Sequence, residues 1–521
     1  MHDTLAVKDR PLDGYALYAA GVLTVIYVMN FLDRQLLAVL AEAVKADLSI
    51  TDAQLGFLFG TAFSVFFAVF GLPFGRFADL GNRTKLIAAS AGFWSVMTSA
   101  SAFAGGYGHL AACRFGVGFG EAGASPAAYS LLYDYFPQRL RTTALSIYNM
   151  GVYIGSGIGL FLGGAILTWW AAHYPGGAGA PFGLKGWQAA FLVVGLPGLI
   201  LAFWVLTLRE PQRLRDDGSV VPPHPSPVRE TAMVFAALLP ILNIPLLLRA
   251  GGSAAMLRNM AGAAIILIVA SLLVWLTGDV AQWAALGVGG YAVFSWAQGL
   301  SLRDPGALRS IFGNGPLVLL LAGIGAIMFM SYSFTFWTVP YYQRAFAASA
   351  QQTGYVLGLA TGIGGTLGVL AGGFLADAAR RRHPAGKSWV FLLSISCSAI
   401  SALMLLTASD ETTALYANFV FVFAVASGIS PALSAISDQA PVQLRGTAMA
   451  LTLLTTNTTG FAIGPYVIGK MSDQLTAAGN DPATALRGAM LASAIAAPIA
   501  ILLVIRAAVL IGRRDAAPKG S

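Results

Sequence analysis

The chain has 521 residues, of which 57% are hydrophobic and 10% charged, and its mean hydropathy is +0.71. Soluble domains carry roughly 25% charged residues, so an ordinary soluble enzyme, a disordered chain and a disulfide scaffold are excluded. The formal charge of +8 recurs between apolar stretches instead of collecting in one patch, which argues against nucleic acid and for an all-α, polytopic protein embedded in a lipid bilayer.

Residues 1–13 are polar, with Asp3, Asp9 and Asp13 among the bases, and no cleavable signal peptide is expected before the first span. A bilayer core about 30 Å thick needs roughly 20 apolar residues per helix. Such stretches fall at 15–40, 51–75, 86–106, 109–133, 143–168 and 187–208. A Pro-rich linker follows at 216–227. Next comes a short apolar stretch, 231–248, whose Pro240 and Pro245 suit a helix lying on the membrane surface. Apolar runs resume at 260–277, 281–300, 316–342, 351–375, 389–408, 414–437, 446–469 and 488–511, making fourteen. The predicted organisation is a six-helix bundle over 1–210, a cytoplasmic linker with the interfacial helix over 211–257, a transmembrane hairpin over 258–303, and a second six-helix bundle over 304–521.

With a cytoplasmic N-terminus, 24 of the 31 Lys and Arg fall at cytoplasmic ends and loops. Five lie outside (Lys45, Lys185, Arg344, Lys470, Arg487), and Arg34 and Arg114 lie within the membrane. This bias puts both termini in the cytoplasm. The chain also repeats itself. A shift of 298 pairs Gln54 with Gln352, Gly56 with Gly354, Gly60 with Gly358, Gly75 with Gly373 and Asp79 with Asp377. A shift of 304 pairs Asp134 with Asp438, Pro137 with Pro441 and Leu140-Arg141 with Leu444-Arg445. Two parallel halves of six spans, with the hairpin between them, account for both registers.

Three motifs stand out. The loop after span 2 reads Gly75-Arg76-Phe77-Ala78-Asp79-Leu80-Gly81-Asn82-Arg83-Thr84-Lys85, span 1 contains Asn30-Phe31-Leu32-Asp33-Arg34, and span 4 contains Gly118-Phe119-Gly120-Glu121-Ala122. Over nearly its whole length the chain resembles the major facilitator superfamily. The loop is similar to that family's G-x-L-x-D-R-x-G-R-(R/K), departing at Leu80 and Asn82. Asn82 and the other two motifs are similar to the spinster-like branch, with its N-Y-x-D-R (Phe31 replacing Tyr) and G-(I/V)-G-E-A. The extra hairpin departs from the family's twelve-span plan. The resemblance implies sphingolipid or lysophospholipid substrates, and a head-group and proton site at Asp33, Arg34, Arg114 and Glu121.

Energetics single out the same four residues. They are the ionisable groups inside the spans, away from span ends. Each costs roughly 2.5–3.5 kcal/mol near a helix centre. At 1.5 Å per residue, Asp33 lies about 10 Å from the outer end of span 1 and Arg114 about 8 Å below the same surface. A charge-assisted pair between them is the cheapest arrangement. Glu121, seven residues after Arg114, lies about 10 Å deeper on the same face, with Gly118 leaving room between them. Arg34 points about 100° from Asp33, and Asn30 precedes both by one turn. The functional reading is a cavity in which Asp33 and Glu121 exchange protons while Arg34, Arg114, Glu121 and Asn30 meet substrate. The alternative is a static ion network joining spans 1 and 4.

Counting only the twelve spans of the two halves, so that 316–342 is span 7 and 351–375 span 8, span 7 carries Tyr332, Phe336 and Trp337, an aromatic wall suited either to the apolar part of an amphipathic substrate or to packing. Span 5 carries Gly151, Gly155, Gly159 and Gly163, and span 8 Gly354, Gly358 and Gly362. Such ladders let helices approach and slide, and in the resembling fold spans 5 and 8 meet. A conformational latch is expected from Gly75 and Asp79, with Asp79 near the N-terminus of span 11 and Arg83 and Arg141 as candidate partners.

Gly118-x-Gly120-x-x-Gly123 lies in a membrane helix with no preceding strand, so it is not a dinucleotide loop. No phosphate loop or metal motif occurs, and no cofactor or metal is expected. Five histidines, none mid-span, leave a membrane-embedded lipid hydrolase without its base. The expected function is therefore proton-coupled, alternating-access transport of an amphipathic lipid, with symport of soluble organic anions such as sugar acids as the alternative. A monomer in a bacterial plasma membrane is expected, the latter because Arg outnumbers Lys 24 to 7.

Overall fold

The computed structural model describes residues 13–213, 219–220, 222 and 224–516. The acidic residues Asp3 and Asp9 and part of the 216–227 linker lie outside the described residues. The described residues are mostly helical. In order come α1 (Gly14–Leu48), α2 (Asp52–Phe59), α3 (Thr61–Leu80), α4 (Arg83–Ser101), α5 (Tyr107–Glu121), α6 (Ala124–Tyr135), α7 (Arg141–His173) and α8 (Gly186–Leu206). Then follow α9 (Pro227–Leu238), α10 (Ile244–Thr277), α11 (Val280–Arg303), α12 (Pro305–Phe312), α13 (Gly315–Ala345) and α14 (Ala350–Leu359). The last are α15 (Gly365–Arg382), α16 (Gly386–Thr407), α17 (Glu411–Gln439), α18 (Arg445–Thr455), α19 (Gly464–Ala477), α20 (Pro482–Ser493) and α21 (Ala496–Ala516).

Ten helical stretches among the described residues are long and apolar enough to cross a bilayer. Helices also occupy the other four predicted positions: α4, the broken pair α5/α6, α11, and α18 joined to α19 through a π-helical segment, Thr456–Ile463. Two expectations need correction. The first helix runs to Leu48, well past the predicted end at residue 40. The expected surface helix over 231–248 is two pieces. The chain turns between α9 and α10 at Pro240 and Ile241, where Ile241 has φ +72°, and α10 then runs through a kink at Gly252.

Two compact units emerge. One comprises Met1–Arg34, Val65–Gly155 and Tyr174–Trp296; the other comprises Gln35–Ser64, Ser156–His173 and Ala297–Ser521. The units thus divide α1 and α7 and leave the first turn of α3 with the second unit. Inside the first unit, α9 and α11 cover α3: Leu238 and Ala292 pack with Val65 and Val69, and Phe235 stacks on Phe70 at 5.2 Å. Asn243 donates to Tyr291 Oη and Ser295 Oγ, tying the start of α10 to α11. Inside the second unit, α7 meets α14 backbone to backbone, with Gly157 facing Gly358. The stripe expected to face span 8 turns elsewhere: Gly155 packs on Val28 in the first unit, and Gly163 on Val39 in the second, both in α1. Two glycine stripes wind around one helix, and spacing alone does not say which neighbour each one meets.

The repeat is physical. Thr51 and Ser349, 298 apart, each cap a helix by accepting from the backbone N–H of Gln54 and Gln352, at 3.2 and 3.1 Å. Arg83 pairs with Asp134 in the first unit; 304 residues on, Lys387 pairs with Asp438 at 2.7 Å in the second.

Candidate functional site

The site in the first unit is built on α4. Helix α5 seats against it through Gly116 and Gly120. A Cβ at Gly120 would stand 2.8 Å from Trp94 N, and one at Gly116 would stand 2.5 Å from Met97 Sδ. At 100° per residue those glycines lie on the far side of α5 from Arg114 and Glu121. Close seating therefore turns the charged face away from α4 and toward α1.

There the four embedded charges resolve into two pairs. Arg34 Nε and Nη2 each lie 2.7 Å from Glu121 Oε2, the first donating a hydrogen bond. Arg114 Nη1 lies 3.8 Å from Asp33 Oδ1, and Thr98 Oγ1 of α4 donates to Asp33 Oδ2. Arg114 and Glu121 have no exposed surface, and Asp33 is 2% exposed. The Arg34 guanidinium stands 4.6 Å from the ring of Phe31 and 4.9 Å from that of Phe67, both within cation–π range. Glu121 Oε1 and Asn30 Oδ1 are buried acceptors without a hydrogen-bond partner among the described residues. Two cations and two carboxylates, each in its ionised form, sum to zero formal charge. Beside them, Tyr27 stacks on Tyr148 at 4.1 Å and meets Phe31 edge-on at 5.1 Å.

Several of these residues escape sequence reasoning. Phe67, Thr98, Tyr27 and Tyr148 are uncharged residues in apolar helices, indistinguishable there from packing. The only available signal is the four-residue step from Tyr27 to Phe31 leading toward Arg34.

The expected latch is wired differently. Arg83 is fully buried. Its Nε donates to Glu210 Oε1 at 2.7 Å, its backbone N–H donates to Glu210 Oε2 at 2.9 Å, and its Nη1 engages Ser130 and Asp134. Arg141 donates to the carbonyl of Tyr133 and lies 3.5 Å over its ring. Neither arginine is turned to Asp79. The cations acting on Asp79 are Arg76 and Arg213, and Arg213 also donates to the carbonyls of Ala78 and Gly81, three and six residues after Gly75. The reason is Glu210: arriving just beyond α8, it reaches the α4 N-terminus first.

In the second unit, Phe336 stacks on Phe59 at 4.4 Å and the Trp337 indole donates to the carbonyl of Pro465 at 2.8 Å. Both are fully buried in packing, whereas Tyr332 is half-buried and meets Phe461 edge-on. The same unit holds a second ionic cluster. Arg344 donates to both oxygens of Asp52 and to Glu42, each at 2.7 Å. Lys45 and Ser472 add to Asp52, and Asp473 accepts from the backbone of Asp52 and Ala53. No group of three or more His, Cys, Asp or Glu suited to a metal occurs among the described residues.

The Major Facilitator Superfamily profile matches residues 23–465 and again 319–520. An MFS-type efflux pump of Mycolicibacterium smegmatis is 26% identical over 90% of this chain and 87% of its own length. Protein spinster of Drosophila melanogaster is 27% identical over 39% of this chain and 31% of its own length, and the hexuronate transporter of Escherichia coli K12 is 26% identical over 39% and 44%. Among solved structures, a bacterial homologue of the human lysosomal transporter Spinster, inward-facing and unoccupied, superposes with a TM-score of 0.71 at 23% identity, covering 96% of this chain and 98% of that one.

Proposed function

Because the chain belongs to the major facilitator superfamily, we propose that it is a fourteen-span, alternating-access transporter that carries an amphipathic lipid with an anionic or zwitterionic head, driven by protons. The observation that carries this reading is the buried Arg34–Glu121 pair, with a second acceptor oxygen of Glu121 unused. Protonating Glu121 frees the Arg34 guanidinium, held between two phenyl rings, for a phosphate or carboxylate. The unused oxygens of Glu121 and Asn30 then suit hydroxyl or ammonium donors on the same head group. Asp33 and Arg114 form a second pair open to the same exchange. Tyr332, the half-buried member of the span 7 aromatics, is the one suited to meet an acyl chain. Both termini face the cytoplasm of a bacterial cell and the protein acts as a monomer. Asp79 with Arg76 and Arg213, below Gly75, forms the conformational latch.

Similarity to the hexuronate transporter favours a second reading, symport of sugar acids, which would use the same arginine for a carboxylate. Uptake into liposomes separates the two. Lysophospholipids and sphingoid phosphates are expected to be taken up faster with an inward-directed proton gradient and to compete with one another. Transport of hexuronates alone, unaffected by lysolipids, would reverse the assignment; uptake indifferent to the gradient would remove the proton.

A further inference from the structure

The pairing of the four charges is selective, although Asp33 and Arg34 are consecutive and both cations are near. Asp33 joins Arg114, and Arg34 joins Glu121. The charged groups acting on Asp33 are Arg114 from α5, its neighbour Arg34, and Glu121, the partner of Arg34. Asp33 Oδ2 accepts a hydrogen bond from Thr98, itself 1% exposed.

Helix α4 holds Thr98 in place from two sides. Toward α5 it is pressed by Gly116 and Gly120 against Met97 and Trp94, the latter one turn before Thr98. Toward α8, Gly195 and Gly198 close on Ser99 and Ser95 so tightly that neither glycine has room for a Cβ. These contacts hold the α4 backbone on either side of Thr98 against α5 and α8.

We propose that Thr98 is a positioning residue: its hydroxyl holds the Asp33 carboxylate on the Arg114 side, and so decides which carboxylate pairs with which arginine. The inference rests on the reading of Asp33 as a proton-exchanging group, yet it can be tested without transport. A hydrogen bond donated to a carboxylate stabilises its ionised form, and membrane-embedded carboxyl groups react with hydrophobic carbodiimides when protonated. Labelling of Asp33, followed by mass spectrometry in native-lipid membranes at neutral pH, is expected to rise about tenfold in Thr98→Val, the equivalent of about 1.4 kcal/mol. Thr98→Ser, which keeps the hydroxyl, is expected to label as wild type does. Thr98→Ala serves in place of Thr98→Val should the latter not fold, with the same expected rise. Equal labelling in the hydroxyl-free variant and wild type, or an equal rise in Thr98→Ser, overturns the proposal. The pH profile of uptake is expected to move in Thr98→Val and to return in Thr98→Ser. Wild-type uptake that ignores pH, combined with the labelling difference, would reject the proton-coupled reading and leave the role of Thr98 standing.

Discussion

Glu121 offers one oxygen to two nitrogens of Arg34 and keeps the other unused, the geometry on which its proposed proton-exchanging role rests. An amide in its place holds the arginine weakly and cannot take up a proton. Glu121→Gln is therefore expected to lower gradient-driven uptake to the level of protein-free liposomes. Its melting temperature in detergent is expected to stay near that of wild type; uptake at the wild-type rate would deny the coupling role. All four charges were legible in the sequence because charge inside an apolar helix is costly enough to demand a reason. Depth arithmetic also paired Asp33 with Arg114. The partner of Arg34, the Thr98 hydroxyl and the phenyl cradle of Phe31 and Phe67 were not legible, since they depend on how helices rotate about their axes. Glu210 escaped for a different cause: it lies just past a helix end, where a carboxylate raises no energetic alarm.

Between helices, glycine acts here as a spacer that sets orientation. The seat of α5 on α4 has no room for a side chain at position 120, where a Cβ would meet the Trp94 backbone. Gly120→Leu is expected to destabilise by about 1–3 kcal/mol through overpacking, seen as an earlier melt by tryptophan fluorescence. It is also expected to weaken substrate binding, because the opposite face of α5 carries Arg114 and Glu121. An unchanged melt would mean that the two helices part freely. Helix positions were mostly readable from apolar runs of bilayer length. Their breaks were less so: the turn at Pro240 and Ile241, and the π segment Thr456–Ile463, arise from local backbone geometry that hydropathy averages away.

Across the molecule, the second ionic cluster gathers the α1 C-terminal end, the start of α2 and the α13 end around Arg344, whose side chain is 7% exposed. With a cytoplasmic N-terminus this cluster sits on the outer side. Arg344→Ala leaves Asp52, 2% exposed at its side chain, without its main partner, a loss of about 3 kcal/mol for a buried pair. The expected result is a lower melting temperature together with faster labelling of an introduced Phe59→Cys by an external thiol reagent, with Cys113 and Cys397 replaced. Labelling at the unaltered rate would deny the cluster any part in closing that side. The internal repeat was the best whole-molecule signal available in the sequence, and the paired caps at Thr51 and Ser349 show its reality in hydrogen bonds. What the repeat could not reveal is that compactness divides α1 and α7 between two units.

The neutrality of the four-residue cluster has an electrical corollary. Two guanidinium and two carboxylate groups cancel; under the proposed coupling a proton gives a surplus of one, and a monoanionic head group restores zero. A carrier loaded in that ratio moves no net charge through the bilayer, so membrane voltage does no work on the loaded step, and the chemical gradients of proton and cargo alone set how far accumulation can go.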